Sequence, residues 1–284
     1  MTFTAYELTR QKGKPVTLYL FRYGTGASVI AYTDAEQAIT YDTISYTPVA
    51  ISHDGVKASG SLDKSRLTVR LPRDAVVSTK WRAWPPAQVV DLTIRQGHHG
   101  DTEFLVAWAG KVQSIGREGP ECVISCEPVQ SQLRRPGLRR HYQITCPHQL
   151  YQQGNGFCNA SKAAGTVTGT IASISGFNLT LNAGWNGAFT NTKFREGTVE
   201  WVNDDGGTEV RQIMAVAGNV ITMSGPATDL AAAETVSVIL GCNRLSRQPA
   251  AGGDCGDLHN NDQNFGGCKW IPTKNPVGNR NNYW

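Results

Sequence analysis

The stretch from Gly241 to Trp270, GCNRLSRQPAAGGDCGDLHNNDQNFGGCKW, limits what this chain can fold into more than any other. It carries three of the seven cysteines, Cys242, Cys255 and Cys268, in a run of Gly, Asn and Asp. No apolar periodicity runs through it, so it has no face to bury as a helix or a strand. A polar, glycine-rich segment stays ordered only when something other than a core pins it. Thiols bonded to one another or to a metal are the obvious pins. A second thiol pair, Cys146 and Cys158, lies upstream in CPHQLYQQGNGFC. The expectation is that these two distant stretches close on one another through a metal centre.

The choice between disulfide and metal follows from compartment. MTFTAYELTRQKGKPV lacks the apolar core of a signal peptide, and no run approaches the roughly 18 apolar residues of a membrane span. The reading is a chain folded in a reducing cytoplasm, without membrane insertion, where an odd number of thiols favours metal ligation. The formal charge of +4 is mild. It permits an acidic partner and predicts no specific nucleic acid.

Residues 1–128 read as a β-rich domain. VTLYLFRY (Val16 to Tyr23), SVIAYTDA, AITYDTISYTPVAIS, SRLTVRLP, AQVVDLTIRQG, TEFLVAWAGKVQSIGRE and PECVISCEP are short alternating strands separated by Gly-rich turns. Such spacing predicts a compact barrel or sandwich. One helix is expected near Asp74 to Trp84, ended by Pro85-Pro86. His98-His99 reads as a solvated hairpin tip, with a metal site as the lesser alternative. Cys122 and Cys126 share one strand face, too far apart to bridge, and read as small apolar fillers.

Residues 129–145 hold two arginine pairs, Arg134-Arg135 and Arg139-Arg140, around a Pro136-Gly137 turn. Without a phosphate cradle or a stacking platform they read as a bridge or a subunit contact. Residues 161–240 then turn to Thr, Ala, Gly, Val and Ile in short alternating strands. They predict a small antiparallel barrel with Val199, Trp201, Ile213, Val220, Ile221, Val236 and Val238 inside. The barrel is inserted into a cysteine-rich lobe made of 146–160 and 241–268. A closed sheet leaves its ends near each other, which is how Cys158 and Cys242 can meet. Residues 269–284 form a polar, proline-broken arm, with Trp270 and Trp284 as candidate anchors.

Cys146, Cys158, Cys242 and Cys255 form a four-thiol set suited to zinc or an iron–sulfur cluster. Eleven and twelve residues separate the members of each pair, longer than the short knuckles of structural zinc sites, and this favours the bulkier cluster. Cys268 is an alternative fourth ligand, and His148 and His259 are lower-ranked nitrogen ligands. With every position filled by protein, such a centre staples loops rather than catalyses. No flavin or dinucleotide fingerprint accompanies it.

LRRPGLRRHYQITCPHQLYQQGNGFC, the β insertion, VILGCNR and the C-x₈-NFGG run resemble the tail-tip hub proteins of long-tailed bacteriophages. That group takes in the phage lambda tail tip protein and the hub proteins of gene transfer agents, and the resemblance spans nearly the whole chain. It implies a hub-type β domain followed by a lobe holding a [4Fe-4S] cluster on Cys146, Cys158, Cys242 and Cys255. Asn264, Phe265, Gly266 and Gly267 match the cluster-loop signature. The chain departs from the pattern in a longer gap between Cys242 and Cys255, in His259 where Phe is common, and in the extra Cys268. The fourth ligand therefore stays open between Cys255 and Cys268. The implied role is a non-enzymatic minor tail protein of the virion, assembled in the host cytoplasm. It would form a ring, a trimer, and join the tail tube, distal tail ring and tape-measure protein to the central receptor-binding fibre. The rival classes are an iron–sulfur or zinc enzyme and a host-surface glycan-binding module using Trp185 and Trp201 as platforms.

Overall fold

A computed structural model describes residues 3–9, 13–24, 29–56, 66–134, 137, 141–204, 206–247 and 252–271. The chain forms two compact units, 1–135 with 202–209 and 136–201 with 210–284. It is mostly β, and no described helix is long and apolar enough to cross a membrane.

The first unit starts with a short helix α1 (Phe3–Glu7), followed by β1 (Pro15–Tyr23), β2 (Val29–Thr33), β3 (Ile39–Tyr41), β4 (Ile44–Pro48), β5 (Ser52–His53) and β6 (Leu67–Pro72). Helix α2 (Val76–Lys80), β7 (Val90–His98), β8 (Leu105–Glu118) and β9 (Glu121–Pro128) complete it. All nine strands join one sheet in the order β3-β4-β2-β1-β7-β8-β9-β6-β5. The β2–β4 pair is parallel. Because side chains alternate across a strand, β1 feeds two cores. Tyr19, Phe21 and Tyr23 enter one, while Val16, Leu18 and Leu20 enter a smaller one with Tyr46 and Phe104. That is why VTLYLFRY is apolar at nearly every position.

Strand β8 pairs with β7 through Leu105–Lys111 and with β9 through Gly110–Glu118, with a register shift in each ladder. Such irregularities bend a strand. The sheet folds over itself there, and Leu92 and Ile94 share a core with Leu67, Val69, Leu71, Cys122, Ile124 and Cys126. Burial of each large side chain contributes about 1.5–3 kcal/mol. Cys122 and Cys126 are fully buried in this core, and burial pushes the Cys126 thiol up to about 12.

The expected helix at Asp74–Trp84 shrinks to the single turn of α2. Ala75 stands at its N-cap with no side-chain oxygen to hold the first amides. The solvated tip expected at His98-His99 holds for His99 and fails for His98, which is 2% exposed. His98 turns under α1, stacked on Tyr6 with ring centres 5.2 Å apart and with Nε2 3.0 Å from Glu7 Oε1.

In the second unit, β10 (Thr166–Ser175), β11 (Asn178–Leu181), β12 (Thr198–Val202), β13 (Thr208–Ala217), β14 (Val220–Met223) and β15 (Thr235–Ile239) close a barrel in the order β10-β11-β14-β13-β12-β15. Its interior holds Ile171, Leu179, Phe194, Val199, Trp201, Ile213, Ile221, Val236 and Val238. Val220 alternates outward and is half-buried, not interior as expected. Trp185 and Trp201 are 4% and 3% exposed, so neither offers a sugar a flat platform. Both are core residues, and Trp201 Nε1 donates to Thr228 O at 3.1 Å.

Strand β9 ends at Pro128 and a 3-10 turn follows over Val129–Arg134. Arg135, Arg139, Arg140, Trp284 and the side chain of Arg134 lie outside the described residues. Trp270 is 90% exposed.

Phe194 is fully buried, with its ring 4.8 Å from that of Trp185. Phe194→Ala is expected to destabilise the barrel by about 3–5 kcal/mol, read as a lower denaturant midpoint in tryptophan fluorescence.

Candidate metal centre

The barrel determines where the thiols stand. Strand β10 pairs with β15 from Thr166 opposite Ile239 to Thr170 opposite Thr235. The chain therefore enters and leaves the barrel side by side, Cys158 shortly before the entry and Cys242 shortly after the exit. Tyr151 Oη donates to Leu240 O at 2.9 Å, and the Cys146 amide donates to Arg244 O at 2.9 Å, joining the upstream loop to the returning chain. The Cys255 amide donates to Leu245 O at 3.1 Å and brings in the fourth thiol.

Cys146, Cys158, Cys242 and Cys255 all line one cavity of about 150 Å³, with His148, His259, Arg244, Asn261 and Asn264 on the same wall. Cys268 does not line it; its amide donates to Gln143 O at 2.8 Å instead. All seven cysteines are free thiols. Three of the four sulfurs accept an N–H group: Cys146 Sγ from the Gly266 amide at 3.4 Å, Cys242 Sγ from the Arg244 amide at 3.3 Å, and Cys158 Sγ from Asn261 Nδ2 at 3.5 Å. The fourth, Cys255 Sγ, donates to Asn261 O at 3.4 Å. Of the two histidines, His259 is committed elsewhere, its Nε2 donating to Gly241 O at 2.8 Å.

The polar lobe has no core of its own, so side chains hold it. Asp254 bonds Lys193 Nζ at 2.6 Å with one oxygen and the Asn243 amide at 2.9 Å with the other. Asn243 Oδ1 accepts the Asp254 amide at 3.0 Å in return. Asp262 accepts from Ser246 Oγ at 2.8 Å and from the Arg247 amide at 3.1 Å. Burial opposes the Asp262 charge, but these bonds and the Lys269 and Arg247 charges outweigh it and hold its carboxyl below the usual range. The paired glycines of the NFGG run both sit in close contacts, Gly267 against backbone. A Cβ on Gly266 would stand 2.5 Å from His148 Nε2, and one on Gly267 would strike the Ile144 carbonyl.

Burial pushes the Cys242 thiol up to about 11, against the pull of the Arg244 amide and with help from Asp254, Cys158 and Cys146. Burial again, then Cys242, Cys146, Asp262 and Cys158, push Cys255 up to about 12. Thiols that raise one another's affinity for protons make a site that holds protons until a cation replaces them.

Among the described residues no three His, Cys, Asp or Glu side chains are placed to hold a single metal ion. Yet four thiols share one cavity. A tetrahedral zinc needs four sulfurs about 2.3 Å from one point, whereas a cubane cluster is gripped by thiols spaced around it. Four thiols on one cavity, three of them accepting N–H groups, are a donor set that suits a [4Fe-4S] cluster or zinc. Asn261 and the Asp254 and Asp262 braces escape sequence reading, because an Asn- and Asp-rich loop reads as solvated polarity.

Alkylation of Cys242 in the metal-free protein is expected to accelerate about tenfold per pH unit from about pH 8 to 10. Below its pKa each unit adds tenfold thiolate, and no plateau comes near the ordinary thiol value of about 8.5. Peptide mass spectrometry of the alkylated residue checks this.

Residues 192–275 match a protein family described as phage conserved hypothetical protein BR0599. That range includes Cys242, Cys255 and Cys268. An uncharacterized protein of Xylella fastidiosa (strain 9a5c) is 25% identical over 186 residues, 61% of this chain. The match spans 38% of that protein's length. A chain in the virion of a native gene transfer agent (GTA) particle superposes with a TM-score of 0.76 at 15% identity, covering 99% of this chain and 97% of that one. The two chains share one fold. The family match is thus to a phage protein family, and the fold match to a chain of a gene transfer agent virion.

Proposed function

We propose that this chain is a structural, non-enzymatic component of a phage-like virion, acting at the tail tip as a hub with a [4Fe-4S] cluster as its internal staple. The observation that carries the reading is the meeting of Cys146, Cys158, Cys242 and Cys255 on one cavity, from loops on either side of an inserted barrel. The fold shared along almost the whole chain with a gene transfer agent virion protein supports the virion. The cluster would be held by those four thiolates, whose bonds to iron link the upstream loop to the returning one. With four protein ligands it offers no open iron for a substrate, which favours a staple over an enzyme.

In the assembled particle the chain would form a ring of copies, a trimer in our reading. It would join the distal tail ring and tape-measure protein to the central receptor-binding fibre. The nine-stranded sheet would supply the hub module.

Protein purified without oxygen is expected to be brown, with about four iron atoms per chain. Colourless protein with one zinc per chain would overturn the iron version. Cys242→Ser is expected to lose the iron and to yield tailless or non-infectious particles with normal heads, counted by electron microscopy and plaque titre. Full infectivity with the iron gone would sink the staple.

A further inference from the structure

Sulfur donors in the cavity come in two kinds. Gly266 and Arg244 offer backbone amides, which any residue at those positions would supply. Asn261 offers a side-chain N–H group to a cysteine sulfur. It is 7% exposed. Its Nδ2 bonds both Cys158 O and, at 3.5 Å, Cys158 Sγ. Its Oδ1 accepts from Asn264 Nδ2 at 2.7 Å. This second bond fixes the amide's direction: a flip would set Oδ1 against the Cys158 carbonyl and Nδ2 against the Asn264 donor. The backbone of the same residue reaches another thiol, its amide donating to Cys255 O at 2.7 Å and its carbonyl accepting from Cys255 Sγ. One residue thus touches two of the four ligands.

We infer that Asn261 is a positioning residue for the cluster, and that its amide, locked by Asn264, withdraws charge from Cys158 Sγ and so raises the cluster's reduction potential. The inference rests on the cluster reading above. A cubane held by four thiolates carries net negative charge, which grows when an electron enters. An N–H group aimed at a ligand sulfur stabilises the more negative state, so it favours reduction. Burial strengthens the effect, because Cys158 is only 8% exposed and an N–H···S bond gains in a low dielectric. When the cluster is bound, Cys255 has no S–H to donate, and the Asn261 carbonyl is released from that bond. The side-chain donor to Cys158 persists. Asn264, the first residue of the NFGG run, then acts through its bond to Asn261.

The test uses full-length protein purified without oxygen and titrated with dithionite through mediators, with the reduced cluster read by electron paramagnetic resonance. One electron enters the cluster from dithionite; no bond forms or breaks. Asn261→Asp keeps the shape and removes the donor. Asn261→Ala removes the side chain, and Asn264→Ala removes the lock together with a small part of the cavity wall. Every variant that retains iron is expected to show a lower midpoint potential than the parent, Asn261→Asp lowest and Asn264→Ala least shifted. Asn261 variants should also hold iron about 10- to 100-fold less tightly against a chelator. Should the Asn261 variants lose their iron during purification, Asn264→Ala decides, since it leaves Asn261 in place. Iron-loaded variants with the parent's potential would overturn the inference while leaving the cluster intact. A parent protein that binds no iron would instead overturn the cluster reading, and this inference with it.

Discussion

The pairing of β10 with β15 is the contact on which the second unit depends. It closes the barrel, and β15 also takes β12 on its other edge, so that Ile239 faces Thr166 on one side and Thr198 on the other. With both edges filled and Val236 and Val238 pointing inward, the register of β15 is fixed by burial. A one-residue slip would turn both valines outward and move the following chain by about 3.3 Å. Cys242 would then leave the cavity it shares with Cys158. The chemistry of the thiol site is thus an outcome of sheet register decided inside the barrel.

The lobe around the thiols is ordered by different means. It buries little apolar surface, and its stability comes from hydrogen bonds that each contribute about 0.5–1.5 kcal/mol net. Such bonds are weak singly, so the lobe uses charged ones where it meets the barrel: Asp254 on Lys193 is the shortest of them. Close backbone approaches do the rest. Gly267 lies against Ile144, which ties the NFGG run to the segment before Cys146. A bulkier residue would separate those strands of chain by more than any hydrogen bond here tolerates.

What was legible in the sequence was periodic. VTLYLFRY is apolar on both faces, as a strand feeding two cores must be, and the barrel follows from short alternating runs with Gly or Asn turns. The meeting of the four thiols on one cavity was legible because a closed barrel returns the chain to where it entered. What escaped depended on partners far along the chain. His98 reads as polar turn material, since Glu7 and Tyr6, which cover it, lie some ninety positions earlier. Trp201 could equally face sugar or core until the barrel closes around it. The helix near Asp74 has apolar residues at suitable spacing but an uncapped start at Ala75. Asn261 is one of several Asn and Asp residues in its loop, and only the meeting with Cys158 distinguishes it.

The lobe is tied to the barrel by contacts that involve no thiol. Leu258 packs on the barrel core, Tyr151 bonds Leu240, His259 bonds Gly241, and Asp254 bonds Lys193. These contacts hold the loops beside the barrel and turn four sulfurs to one cavity. Ordering loops from a disordered state costs about 1–2 kcal/mol per residue. A site spared most of that cost keeps more of its binding free energy as affinity. It also follows that the barrel does not need a metal: its core is complete without a single cysteine.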